Sequence, residues 1–451
     1  MSKITTQLNI THIDIEDLFG IYTYSIPFDS MNISKLLILY GENGAGKTTI
    51  LQMIFNLLSS KDNKGHKTEL ANTKFKNISI TLSNGYIIRA YRKFFIGNYN
   101  LYISKNSNIL IDITCNTIIG NDNYIVRDGN EGYKNVQIFL NILKDLNLSI
   151  HYLSDDRKIK TNKSMIVDED RDSINISNLP IEILRDSQRG KTKDYFSLNN
   201  TFLLIAIQRV EKWFKAQALI GNHIGQNDIQ EIYFNLIENL LDNNKQAIQN
   251  ENHKIKKENI LIKLKQLNSR NKEFMISSLS LDYKLDKYIE LIKKISEDKL
   301  ETIISTLNPY IDGIEKKLNA LENTKNIVNT FVTILNEFYT GKKLSFSIND
   351  GLKINSMFND KEILSPTMLS SGEKQLLLLF CNTITAREQA SIFIIDEPEL
   401  SLNVVWQRKL INALLSFSEG SSIQFILASH SIELLTQYDE NVCVLENIKK
   451  F

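Results

Sequence analysis

The segment Gly41-Glu42-Asn43-Gly44-Ala45-Gly46-Lys47-Thr48 constrains this chain more than any other. It fits G-x-x-x-x-G-K-[ST] at every required position, with the apolar run KLLILY before it and TTILQMIFNLL after it. Glycines there let backbone N–H groups wrap a phosphate, Lys47 neutralises phosphate charge, and the Thr48 hydroxyl can ligate Mg2+. The order of strand, loop and helix distinguishes this from a chance glycine-rich turn. Apolar residues at Ile50, Leu51, Ile54, Leu57 and Leu58 predict a helix packed on one face. The candidate phosphate-contacting residues are Asn43, Gly44, Ala45, Gly46, Lys47, Thr48 and Thr49.

At 451 residues the chain is long enough for two or three domains, or for one large domain carrying an insertion. Hydrophobic residues at 42% and charged residues at 23% predict a buried core rather than extensive disorder. A net charge of +1 argues against a dominant attraction to nucleic acid or anionic membrane. Cys115, Cys381 and Cys443 are far apart, which suggests neither a disulfide framework nor a cysteine-rich zinc site. The first residues lack the pattern of a secretory signal, and no apolar run approaches the ~20 residues that span a bilayer. A cytoplasmic protein is expected.

Residues 4–40 read as three strands, and 75–113 as antiparallel strands with a hairpin signal at Asn84-Gly85. VQIFLNILKDLNLSIHYLSDDR reads as a helix running into a strand, and 158–200 as a polar linker. From 201 to 340 apolar residues recur at spacings of three and four between charges, the pattern of long amphipathic helices. A short coiled coil and an ordinary helical subdomain both fit, with Pro309 marking a bend between two arms. KKLSFSINDGLKI returns to strand alternation; SIFIIDEPE and SSIQFILASHS read as buried parallel strands delivering polar side chains to a crevice. The domains expected are thus 1–200 and 341–451 as two halves of one α/β head, and 201–340 as a helical insertion.

Asp396 and Glu397 close one of those strands. Such a pair divides its labour: Asp396 holds the metal, while Glu397 orients and deprotonates an attacking water. His430 follows the other strand and is a candidate for contact with the γ-phosphate or that water. Ser370 and Gly372 precede the helix EKQLLLLFCNTI, where a hydroxyl and backbone N–H groups make an anion site or simply a good N-cap.

Taken in order, Gly41–Thr48, Leu369-Ser370-Ser371-Gly372-Glu373, Asp396-Glu397, Ser401-Leu402-Asn403 and His430 resemble the P-loop, signature, Walker B, D-loop and switch histidine of ABC-type ATPases. The branch resembled is the SMC-like and OLD-like one, with helices inserted between the halves of the head. The resemblance implies ATP and Mg2+ as cofactors, Thr48 and Asp396 as metal ligands, and Glu397 and His430 as catalytic residues. It implies that Ser370 and Gly372 touch the γ-phosphate bound by another subunit, so a homodimer or higher homo-oligomer of ATP-sandwich heads is expected, with Asn403 at the seam.

The departures matter as well. No Q-loop glutamine is evident, and Asp156 or Arg157 in LSDDR stands nearest its place; Ser371 and Asn403 also differ from common family choices. These departures imply slow hydrolysis. No Cys-x-x-Cys hook interrupts the helices, and about twenty residues after His430 leave no room for a TOPRIM module. The pattern resembles the ATPase subunits of bacterial anti-phage systems of the PARIS and Septu type, which implies a separate TOPRIM or HNH nuclease or toxin subunit and a phage-encoded trigger. A DNA-repair ATPase of the RecF or SMC type is the alternative, and DNA binding stays open.

Overall fold

Strand β3 (Leu36–Tyr40) is buried at its first four positions, as the strand feeding a phosphate loop must be when both faces are covered. The structure, a computed structural model, describes residues 8–27, 35–62, 64–120, 123–126, 132–156, 159–161, 200–221, 253–295, 297–359, 362–387 and 390–448. These fall into two compact units, Met1–Phe202 with Asn382–Phe451, and Leu203–Cys381.

The first unit opens with β1 (Ile10–Leu18) and β2 (Tyr22–Pro27). After β3 come α1 (Lys47–Leu58) and α2 (His66–Asn72), then β4 (Asn77–Leu82), β5 (Tyr86–Tyr91), β6 (Tyr99–Lys105) and β7 (Asn108–Cys115). The Asn84-Gly85 turn reverses β4 into β5, with Gly85 at φ +81°, a conformation that favours glycine. These strands form an antiparallel sheet in the order β2-β1-β4-β5-β6-β7. A small hairpin, β8 (Thr117–Gly120) with β9 (Asn123–Val126), and helix α3 (Gly132–Asp145) follow. The expected helix-to-strand passage is present, since α3 leads to β10 (Ile150–Leu153). β11 (Ile159–Thr161) then pairs antiparallel to β10 inside the stretch expected to be linker; residues 162–199 lie outside the described residues.

A second sheet runs in the order β11-β10-β14-β15-β3-β16, where β14 is Ile392–Asp396, β15 Gln424–Ser429 and β16 Val442–Val444. Every pairing in it except β10 with β11 is parallel. All residues of β14 and β15 are buried, which explains their unbroken apolar sequences. Helix α1 packs against β10, β14 and β15 of this sheet and against β5 of the antiparallel one. One apolar core therefore joins both sheets, including Ile50, Ile54 and Leu57 from α1, Ile394 and Ile426 from the parallel strands, and Ile80 and Ile88 from the antiparallel ones.

Two buried cations stabilise helix ends here. Lys67 donates to the carbonyls of Asn56, Leu57 and Ser59 at the C-terminus of α1 (2.7, 2.9 and 3.2 Å). Arg92 donates to Leu70, Ala71, Gly97 and Thr73 carbonyls and lies 3.9 Å from the Phe75 ring centroid. Each satisfies C-terminal carbonyls that a helix cannot satisfy internally.

In the second unit the described helices are α4 (residues 200–221, which begins in the first unit), α5 (His253–Ile276), α6 (Leu285–Lys294) and α7 (Glu297–Phe338). Pro309 does not divide two arms, because α7 runs through it as one helix. The missing N–H costs one backbone hydrogen bond, while Leu307, Ile311, Ile314, Leu318 and Leu321 on either side of it enter one core. Lys263 bonds to Asp312 and Arg270 to Asn319, each pair 49 residues apart, so α5 and α7 run parallel. The turn Asn349-Asp350-Gly351 joins β12 (Lys342–Ser347) and β13 (Gly351–Ser356) antiparallel, as expected. Helix α8 (Ser371–Ala386) begins in this unit; α9 (Val404–Phe417) and α10 (Ile432–Leu435) belong to the first. No described helix is long and apolar enough to cross a membrane.

Candidate functional site

Parallel pairing brings four strand ends to one edge. Tyr40 of β3 is opposite Ser429 of β15, Asp396 of β14 opposite Ala428, and Leu153 of β10 opposite Ile395. The phosphate loop, the Asp396-Glu397 pair, His430 and the residues after β10 therefore emerge at the carboxyl edge of adjacent strands, where α/β sheets place ligands.

The loop is built by backbone conformation. Gly44 and Gly46 take φ of +89° and +85°, and a Cβ on Gly46 would come within 2.8 Å of Leu18 Cδ2. Only glycine is tolerated there. Tyr24 donates its hydroxyl to the Ala45 carbonyl (2.9 Å), tying the loop to β2. Lys47 is buried, and its ammonium donates to the carbonyls of Gly41 (2.6 Å) and Glu42 (3.1 Å), so the charge is held within the curl of the loop. Asn43 and Gly44 are exposed, and Thr48 and Thr49 lie on the first turn of α1.

Asp396 is fully buried, and burial pushes its carboxyl up to about 6; a Thr48 hydrogen bond works the other way, and the charges of Asp155 and Glu397 add to the rise. Tyr152 also donates to Asp396 Oδ2 at 3.4 Å. A buried carboxylate at the sheet edge that carries the loop threonine, with two further carboxylates in its field, is the donor chemistry of a hard divalent cation. The residues thus fit a magnesium–nucleotide complex.

Glu397 has φ +45° and donates its N–H to the Ala428 carbonyl (2.9 Å). His430 Nδ1 lies 3.4 Å from Glu397 Oε1 and 3.5 Å from Glu399 Oε1. The structure therefore brings Lys47, Thr48, Asp396, Glu397 and His430 to one sheet edge. Sequence reasoning missed Glu399 and Tyr152. Glu399 had a legible signal, a third carboxylate in Asp396-Glu397-Pro398-Glu399, whereas nothing in the strand IHYL singles out Tyr152. Of the residues standing near the Q-loop place, Asp156 bonds to Ser154 Oγ and Arg157 lies outside the described residues; Asp155 supplies the charge that acts on Asp396.

Ser370 and Gly372 belong to the second unit. Ser370 Oγ accepts from the Glu373 N–H (3.4 Å), and Glu373 Oε2 accepts from the Ser370 N–H (2.8 Å), a reciprocal capping box at the start of α8. Asn403 also caps a helix, accepting from the Trp406 N–H at 2.9 Å.

Comparison with curated proteins returned no match. Among solved structures, the Smc head domain of Pyrococcus furiosus with an extended coiled coil, bound to the C-terminal domain of ScpA, is 14% identical, with 98% of this chain and 94% of that chain covered and a TM-score of 0.39. The Smc head domain of Pyrococcus yayanosii with a coiled coil and joint is 14% identical, with coverages of 98% and 96% and a TM-score of 0.37. The family model described as the AAA ATPase domain matches residues 10–435, spanning both the phosphate loop and the carboxylate strand. The chain belongs to the AAA ATPase domain family.

Proposed function

We propose that this protein binds Mg-ATP at the edge of the parallel sheet and hydrolyses it slowly, as an ABC-type ATPase. The observation that carries this reading is the parallel register that sets the ends of β3, β15 and β14 side by side, and with them the buried Lys47 of the phosphate loop and the buried Asp396. Backbone N–H groups from Asn43 to Thr49 and the Lys47 ammonium would hold the phosphates, and Thr48 and Asp396 would hold Mg2+. Bound there, the metal screens phosphate charge and stabilises charge developing on the leaving oxygen. Glu397 orients a water and takes its proton, and His430, with Nδ1 turned toward carboxylates, offers Nε2 to the same space. Replacing Lys47 should abolish nucleotide binding, and replacing Glu397 should preserve binding but stop turnover.

In this reading Ser370 and Gly372 of one copy complete the site of another, so ATP drives homo-oligomerisation. We assign the oligomer a regulatory role in the cytoplasm, in an anti-phage complex that restrains a TOPRIM or HNH nuclease, or a toxin, until a phage product appears. Support comes from the motif resemblance and from a net charge of +1, which gives little general affinity for DNA. Co-purification of the tagged protein with a nuclease encoded beside it tests this role. ATP-dependent binding to DNA ends, with affinity falling steeply with salt, would instead support a DNA-repair role of the RecF or SMC type.

A further inference from the structure

We propose that Glu399 is the positioning residue for the switch histidine, holding the ends of β14 and β15 in one geometry. This rests on the reading of the site as an ATPase centre. Glu399 is only 3% exposed, and its described hydrogen-bond donors lie at the end of β15. Its Oε1 accepts from Ser429 Oγ at 2.5 Å and from the His430 N–H at 3.1 Å, and lies 3.5 Å from His430 Nδ1. Ser429 Oγ in turn accepts from the Ser431 N–H at 3.0 Å. A single carboxylate oxygen therefore gathers the side chain before the histidine, the histidine backbone and its ring.

Burying a carboxylate is costly unless specific partners compensate it. The turn that carries Glu399 is itself strained, with Glu397 and Ser401 in left-handed conformations at φ +45° and +66°. It is closed by Leu400 N–H to Glu397 O (3.1 Å) and Leu402 N–H to Glu399 O (2.9 Å). Glu399 fastens this turn to β15. It also acts on chemistry through His430. A carboxylate accepts and does not donate, so Nδ1 facing Glu397 and Glu399 carries the hydrogen and leaves Nε2 available. Without Glu399 the ring keeps one carboxylate neighbour but loses the contact that fixes its backbone. The role needs an acceptor at Oε1, not a negative charge.

The experiment compares steady-state ATP hydrolysis and urea unfolding for wild type, Glu399→Ala, Glu399→Gln, Ser429→Ala, His430→Ala and the double variant Glu399→Ala/His430→Ala. Glu399→Ala should lower kcat about 10- to 100-fold with KM for ATP within about threefold of wild type, the signature of lost positioning rather than lost binding. Glu399→Gln retains the acceptor and should recover kcat to within about fivefold of wild type. Glu399→Ala should add less than about threefold to the defect of His430→Ala, because both act through one group. Ser429→Ala, which removes a single donor, should lower kcat in the same direction by less and serves if Glu399→Ala does not fold.

Wild-type kcat in Glu399→Ala or in Ser429→Ala overturns the proposal. So does a Glu399→Gln variant as impaired as Glu399→Ala, or defects that multiply in the double variant. A wild type that turns over no ATP overturns the ATPase reading and the role of Glu399 with it, whereas an active wild type beside an equally active Glu399→Ala overturns only the latter.

Discussion

The Lys342 ammonium holds both carboxylate oxygens of Glu373, at 2.7 and 2.9 Å, while Glu373 caps the Ser370 N–H. The start of β12 is thereby fastened to the first turn of α8. Burial works to raise the Glu373 carboxyl, and the bonds from Lys342 and Ser370 override it, leaving it below the ordinary value. A depressed carboxyl contributes stability above its unfolded value of 4.5, and that contribution is lost as pH falls through the folded value. Lys342→Ala should cost about 1–3 kcal/mol at pH 7, less than a fully buried pair because Lys342 is partly solvated, and should weaken this acid dependence below pH ~4.5. Urea unfolding across pH measures both.

His66 shows the opposite kind of titration. Burial, with the charges of Lys67, Lys160, Lys61 and Lys64, lowers its pKa from 6.5 to about 3. Between those values the unfolded chain binds the extra proton, so stability rises with pH from about 3 to 6.5 and is at its full level above 6.5. His66→Gln keeps a hydrogen-bonding group beside Asn56 and removes the titration. The variant should match wild type closely in urea at pH 7 and be the more stable of the two at pH 4, where wild type carries the cost of the unprotonated imidazole.

Gln424 is fully buried in β15 and imitates a neighbouring strand. Its Oε1 accepts from the Ile10 N–H (2.8 Å) and its Nε2 donates to the Ile10 carbonyl (2.9 Å), linking the parallel sheet to the first residue of β1. Gln424→Leu keeps the volume but leaves both Ile10 groups unsatisfied. The expected loss is about 2–4 kcal/mol, from two orphaned backbone groups, measured by chemical unfolding.

How much of this was legible in the sequence follows from the range of the forces involved. The phosphate loop, the apolar strands around Asp396 and His430 and the Asn84-Gly85 hairpin are local, so their residues announce them. Pro309 misleads because tertiary burial along α7 outweighs one missing hydrogen bond. β11 is a three-residue strand whose pairing with β10 is tertiary, and its polar surroundings hide it. Glu399 is marked locally only as a third carboxylate beside Asp396 and Glu397, while its partner Ser429 is 30 residues away; Tyr152 meets Asp396 across 244 residues, beyond the reach of any local pattern. The capping box at Ser370 shows the reverse, since S-x-x-E is readable as a helix start whatever else Ser370 does.

Gly46 combines a left-handed backbone with a close approach to Leu18. Gly46→Ala should therefore cost both stability, by about 1–3 kcal/mol, and nucleotide binding. Thermal unfolding with and without Mg-ATP separates the effects: wild type should gain a higher midpoint with nucleotide, and the variant should not.

The most direct test of the central claim is ATP turnover by wild type, Lys47→Ala and Glu397→Gln, with equilibrium ATP binding measured on the same preparations. The site described here predicts that wild type hydrolyses ATP and that Lys47→Ala neither binds nor hydrolyses it. Glu397→Gln should bind ATP as wild type does while losing at least about 100-fold in turnover. Hydrolysis at the wild-type rate in both variants would contradict the account.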